Sequence, residues 1–117
     1  MRRGEIWLAN LDPTFGAEAS KTRPCVVVSN DEANRVAEKL SRGVVTVIPL
    51  TTNTKNIYPF QVLIAADDGN GLDADSKAQA EQIRALDYAR LTKRLGVLGA
   101  ETRASIDAAL LIHLALD

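Results

Sequence analysis

The chain holds one cysteine, one histidine, one tryptophan and one methionine among its 117 residues, and aromatics make up 4% of it. A single thiol closes no internal disulfide and furnishes no multi-cysteine zinc site. Cys25, followed by Val26-Val27-Val28, reads as a buried, inert thiol, and a cytoplasmic location is expected. With His113 as the lone imidazole, acid–base catalysis by a histidine pair is impossible. Ser-His-Asp or Cys-His chemistry would require the C-terminal segment to reach the site. No glycine-rich loop leads into a helix with a lysine-serine pair, so nucleotide hydrolysis of the P-loop kind is unsupported. Asp67, Asp68, Asp73 and Asp75 lack the spacing and terminal glutamate of a calcium loop; neither a metal nor a cofactor is expected. No run is long and apolar enough to cross a bilayer, and Met1-Arg2-Arg3-Gly4-Glu5 is not followed by a signal-peptide core. No membrane association and no export are expected.

An excess of one charge is absent too. The net charge is −1 and the pI about 5.8, against a surface coated in base for duplex binding. Residues 1–60 carry 8 Lys/Arg and 6 Asp/Glu, and residues 61–117 carry 6 and 9, so an anion site is expected in the first half.

What is present fits one domain spanning 1–117, with 46% apolar and 25% charged residues. Four short runs rich in Val, Ile, Leu or aromatics, Glu5 to Leu11, Pro24 to Ser29, Gly43 to Leu50 and Pro59 to Ala66, are each bounded by turn formers and read as strands of a mostly antiparallel sheet. Asp31 to Leu40 opens on an acidic residue, contains good helix formers and has few apolar positions, which predicts a short exposed helix. Asp67 to Asp75 reads as a loop. Ser76 to Leu86 has helix-forming composition and an Ala/polar alternation that also suits a strand; propensity alone makes it helix. A turn or short helix is expected around Leu86 to Leu95, then a strand at Gly96 to Gly99. In a terminal helix over Glu101 to Leu116, Ile106, Ala109, Leu110, His113 and Leu114 share one apolar face, which makes His113 a packed structural residue.

Two polar constellations stand out. In Gly16 to Ser29, a flexible loop delivers Arg23 onto a buried strand, and Pro24 biases Arg23 towards extended backbone. A guanidinium at a strand mouth matches phosphate or carboxylate, or serves a structural ion pair. In Ile48 to Phe60, a strand ends in Thr51 and Thr52, whose hydroxyls either donate to an oxyanion or bond local backbone. Lys55 and Tyr58 follow, a cation and a ring of the kind that hold single-stranded nucleic acid. Arg2, Arg3, Lys21 and Lys55 would ring the same mouth if the first three strands are neighbours.

Seven blocks in order, Arg3-Gly-Glu-Ile-Trp-Leu8, Leu11-Asp-Pro-Thr14, Gly16-Ala-Glu18, Arg23-Pro-Cys-Val-Val-Val-Ser29, Pro49-Leu-Thr-Thr52, Tyr58-Pro-Phe60 and Glu81-Gln-Ile-Arg84, resemble the MazF/PemK family of toxin ribonucleases. The resemblance covers nearly the whole chain. It implies a mainly β fold, an SH3-like or CcdB-like antiparallel barrel with a short helix after the second strand and a C-terminal helix, and it makes Ser76 to Leu86 a strand. It further implies a homodimer that binds single-stranded RNA across the subunit boundary. A cognate antitoxin would cover that groove with an acidic, partly disordered segment. The implied reaction is metal-independent cleavage of mRNA by the ribose 2′-OH, a group only RNA possesses, giving 2′,3′-cyclic phosphate and 5′-OH ends.

Carried over by position, Arg23 matches the family's catalytic arginine and Thr51 its catalytic threonine, while Glu18 matches an acidic first-loop residue suited to act as general base or to orient Arg23. Lys21, Thr52, Asn53, Lys55, Tyr58 and Glu81 are the RNA-binding candidates. The chain departs from the family at Ala17 and Ala19, and its Gln79 and Glu81 replace an arginine and an aspartate of the PemK branch. Gln79 cannot serve as an acid, which leaves Arg23 and Thr51 as the core assignment. A gyrase poison of the CcdB type is the alternative on the same fold, and a homologue that only binds RNA and antitoxin is a third.

Overall fold

The computed structural model describes residues 1–116. It contains β1 (Glu5–Asn10), β2 (Thr22–Val27), α1 (Asp31–Leu40), β3 (Val44–Thr51), β4 (Gln61–Ile64), β5 (Ser76–Gln79), β6 (Arg84–Asp87), β7 (Leu91–Val97) and α2 (Ala100–Leu114), with short 3-10 turns at Ala80–Gln82 and Tyr88–Arg90. All pairings are antiparallel, in the order β4-β5-β3-β2-β1-β7, with β6 also on β3.

The apolar runs are continuous because both faces of the sheet are covered, and strand alternation deals their side chains to two cores. Val26 joins Ile6, Ile48, Leu50 and Ile64 on one side, where Ile106 and Ala109 of α2 close the cluster. Cys25 and Val27 join Ala9, Leu11, Val45, Val47 and Leu86 on the other, under Ala37 of α1. Helix α1 begins where Asn30 accepts a hydrogen bond from Ala33 N at 2.8 Å, with Asp31 and Glu32 in its first turn, and it buries only Asn34 and Ala37. It is the exposed helix expected.

Between β4 and β5, the loop expected from its Asp and Gly content is pinned by buried Asn70. The Asn70 amide oxygen accepts from Asp67 N and Leu72 N at 3.1 and 3.0 Å, and its nitrogen donates to Ala65 O at 2.8 Å. The loop then meets β7 backbone to backbone. A Cβ on Gly71, at φ +71, would lie 2.1 Å from Leu95 O, and one on Gly96 would lie 2.3 Å from Gly69 O.

Ser76–Gln79 and Arg84–Asp87 are strands, as the family resemblance implies, because pairing with β3 overrides the segment's helix propensity; the 3-10 turn at Ala80–Gln82 separates them. Two expectations are corrected. A strand begins at Leu91, not Gly96: β7 is an edge strand whose Lys93 and Arg94 face solvent, so its polar half masked it. His113 is exposed rather than packed in the core, since α2 buries only Ile106 and Ala109 and its last turns stand clear of the sheet. The His113 ring lies 6.3 Å from that of Phe60.

Candidate active site

The site follows from strand register. Arg23 is opposite Ala9 on β1. Cys25 is opposite Pro49 on β3, and carrying that register two residues further sets Arg23 beside Thr51 at the ends of their strands. The two residues, distant in sequence, lie just past the last paired positions, Cys25 and Pro49, at adjacent strand ends. Both line an open cleft of about 550 Å³. Leu8, Pro24 and Leu50 form apolar parts of its lining; Lys21 and Thr22 enter from the first loop, Thr52 follows Thr51, and Lys93 comes from β7. Gly71 to Ala74 of the β4–β5 loop make one wall. Asp73 is the sole carboxylate among the lining residues, against three cations, so the cleft favours an anion.

The Arg23 side chain is half-buried, and its Nε donates to Ser20 O at 2.9 Å, which leaves the terminal nitrogens for a ligand. Its charge is felt beneath the cleft. Burial pushes the Cys25 thiol up to about 12, and Arg23 and Arg84 pull against that rise. Thr51 Oγ1 accepts from Asn53 N at 3.2 Å, so the local backbone bond expected of such a threonine is present and occupies an acceptor position. Its hydroxyl proton remains to be donated into the cleft.

The first loop is held from outside. Gln82 accepts from Ala19 N and donates to Ala17 O, each at 3.0 Å, so its amide brackets Glu18 on both sides. Arg84 donates to Leu11 O at 3.3 Å, and Arg90 donates to Asn10 O and Asp12 O at the loop's start. These residues lie more than sixty positions away in sequence, beyond the reach of local pattern. Gln82 and Arg84 nonetheless belong to the Glu81-Gln-Ile-Arg84 block that carries part of the family resemblance.

Of the site residues named from sequence, Arg23, Thr51, Lys21 and Thr52 meet in the cleft. Glu18 does not line it; its carboxylate accepts Phe15 N at 2.5 Å and closes a turn of its own loop. Asn53, Lys55 and Tyr58 lie outside it, in the segment after β3: Asn53 accepts from Lys55 N at 3.3 Å, and Tyr58 stacks on Phe60 at 5.7 Å between centroids. Glu81 is also outside, accepting from Gln61 Nε2 at 2.6 Å while its other oxygen is buried without a partner. Arg2 and Arg3 are not part of the mouth. Arg3 precedes the opposite end of β1, donates to Val28 O at 2.8 Å and pairs with Asp107 at 2.7 Å. Lys93 was missed because β7 was, and with it the cleft draws a cation from the second half of the chain.

The cleft is cationic and hydroxyl-bearing, on a two-faced antiparallel sheet, and its fork of donors has the geometry that suits an oxyanion such as phosphate. The chain belongs to the family of PemK-like, MazF-like toxins of type II toxin-antitoxin systems, whose model matches residues 2–114. It is 53% identical over 116 residues to endoribonuclease MazF9 of Mycobacterium tuberculosis, covering 99% of this chain and 98% of that one. Among solved structures it resembles an endoribonuclease in complex with its cognate antitoxin from a mycobacterial species, with TM-score 0.78 and 26% identity over 100% of this chain and 97% of that one. It also resembles MazF from Deinococcus radiodurans, with TM-score 0.80 and 27% identity over 98% and 96% of the two chains.

Proposed function

We propose that this chain is the toxin of a toxin-antitoxin pair and acts as an endoribonuclease that cuts single-stranded messenger RNA in the cytoplasm. The single observation that carries the reading is the meeting of Arg23 and Thr51 in one cleft, in a chain of this family. The ribose 2′-oxygen attacks the adjacent phosphorus, the bond to the 5′-oxygen breaks, and the products are a 2′,3′-cyclic phosphate and a 5′-hydroxyl. Negative charge builds on the non-bridging oxygens as the fifth bond forms. The Arg23 guanidinium and the Thr51 hydroxyl meet that charge with fixed donors, each such interaction contributing roughly 3 to 4 kcal/mol in oxyanion sites of this type. Arg23 acts by stabilising charge, which is what a fixed guanidinium fork offers a developing oxyanion. Glu18, committed to the Phe15 turn, shapes the loop that carries Lys21 and Arg23. Lys21, Thr52 and Lys93 hold the strand, with Lys55 and Tyr58 on its way out of the cleft.

The comparisons lend the gyrase-poison alternative no support. An SH3-like barrel is the finer reading of the sheet, supported by the way the β4–β5 loop folds across onto β7 at Gly71 and Gly96. A homodimer is the working form, supported by exposed Leu111, Ile112 and Leu114 on α2 together with Ile57 and Leu63. An antitoxin would neutralise the cleft by laying an acidic segment over Lys21, Arg23 and Lys93.

Purified protein incubated with a long single-stranded RNA in EDTA, with mapped ends, tests the reading. Discrete cuts ending in cyclic phosphate, lost in Arg23→Ala and Thr51→Ala, are expected. Intact RNA, or cuts that survive both substitutions, would overturn it.

A further inference from the structure

A row of side chains runs from the cleft across the sheet to Lys77, which lies outside the cleft's lining. Arg23 stands beside Thr51 by register, Thr51 is directly opposite Lys77 on β5, and Lys77 is opposite Leu63 on β4. Directly opposed residues of antiparallel strands share a face, with Cβ atoms about 4.5 to 5.5 Å apart. A guanidinium, a hydroxyl and an ammonium therefore follow one another along one face, the last supplied by a residue that no motif marks.

Lys77 is 8% exposed, yet it forms no ion pair among the described residues. Its Nζ donates to Asn56 O at 2.6 Å and lies 5.7 Å from the centre of the Tyr58 ring. An ammonium carries three N–H donors, so this one has donors to spare. A buried charge without a counter-charge is costly, and an anion brought beside it would relieve that cost. The cover over Lys77 is not core. Asn56 and Tyr58, which lie over it, are exposed residues of the segment between β3 and β4. Short-range bonds hold that segment: Asn53 N to Thr51 Oγ1, Lys55 N to Asn53 Oδ1 and Tyr58 N to Gln61 Oε1. An anion reaching Nζ displaces a loop carbonyl rather than packed side chains.

We propose that Lys77 binds the RNA phosphate next to the one held by Arg23 and Thr51, with Tyr58 as the ring beside it. The inference rests on the endoribonuclease reading and extends its grip on the substrate one nucleotide along the strand. Lys77 supplies the counter-charge; the strand supplies the anion its ammonium lacks.

The test measures the affinity of the full chain for a mixed-sequence single strand lacking 2′-hydroxyls, which cannot be cut, across a series of salt concentrations. Lys77→Met keeps the aliphatic stem and removes the charge; Lys77→Arg restores the charge; Lys39→Met, on the exposed face of α1, is the control. Freeing one phosphate of a single strand from its cationic partner lowers the slope of log affinity against log salt by about 0.7. That drop is expected in Lys77→Met alone, with recovery in Lys77→Arg. A lysine that merely props the loop leaves the slope unchanged, and equal slopes for wild type and Lys77→Met would overturn the inference while the enzyme reading stands. A wild-type protein that neither binds the strand nor cuts RNA would overturn both. A slope reduced equally in Lys39→Met would assign the effect to general charge and overturn the inference too.

Discussion

Replacing Gln82 with leucine removes the one side chain that grips the first loop on both sides of Glu18. Two hydrogen bonds of 3.0 Å disappear, and the N–H of buried Ala19 is left without its partner. At about 1 kcal/mol net per bond, with a desolvation cost for the stranded donor, the folded state should lose about 2 to 3 kcal/mol. For a chain of this size that is a fall in Tm of about 8 to 12 °C. The effect should reach catalysis as well, because Ser20, the next residue after Ala19, orients Arg23 by accepting from its Nε. A guanidinium freed to drift by a fraction of an ångström should lower turnover about tenfold, with KM changed much less. Differential scanning calorimetry and steady-state cleavage of a short RNA, run on wild type, Gln82→Leu and Gln82→Glu, give both numbers. Glutamate keeps the acceptor for Ala19 N and loses the donor to Ala17 O, so it should fall between. A Tm within about 2 °C of wild type together with unchanged turnover would refute the clamp, since no bond of this kind would then be contributing.

Arg23→Lys keeps a positive charge but loses the fork and the Nε anchor on Ser20, and cleavage should drop about a hundredfold while RNA affinity changes little, as single-turnover kinetics and binding isotherms would show. Gly96→Ala forces a Cβ to 2.3 Å from Gly69 O, and urea unfolding should show a loss of about 3 kcal/mol or more, or no folded protein. Cys25, raised from 9.0 to about 12 by burial, holds its proton in the folded state where the unfolded chain would release it. Its contribution to stability is complete below pH 9 and declines as pH rises towards 12, by at most about 1.4 kcal/mol per pH unit. Subtracting the alkaline stability profile of Cys25→Ala from that of wild type should isolate this slope, and thiol reagents should label Cys25 only on unfolding.

Much of the architecture is legible in the sequence because two-sided burial leaves uninterrupted apolar runs, as in Cys25 to Val28 and Val47 to Leu50. Ser76 to Gln79 misleads in isolation: its alanines and polar residues favour helix, and only the hydrogen bonds offered by β3 and β4 make it a strand. Leu91 to Val97 hides for the opposite reason, since an edge strand can keep Lys93 and Arg94 in water. At the site, Arg23 and Thr51 are legible because each sits at the end of a readable strand. Gln82, Lys93 and Lys77 act through register and long-range hydrogen bonds, which no local window contains. His113 lies on a correct helical face, but helix periodicity does not say how much of a helix the sheet beneath it covers.

Gly71 and Gly96 also determine where such a site can diverge. One wall of the cleft rests on backbone pressed against backbone, with no side chain at the junction to exchange for another. Substitution there is closed off, whereas Asp73 and Ala74, two and three positions along the same loop, are exposed at the cleft and carry no part of that junction. Descendants of this chain can therefore alter what the cleft meets by changing those two residues, without moving the strand ends that carry Arg23 and Thr51.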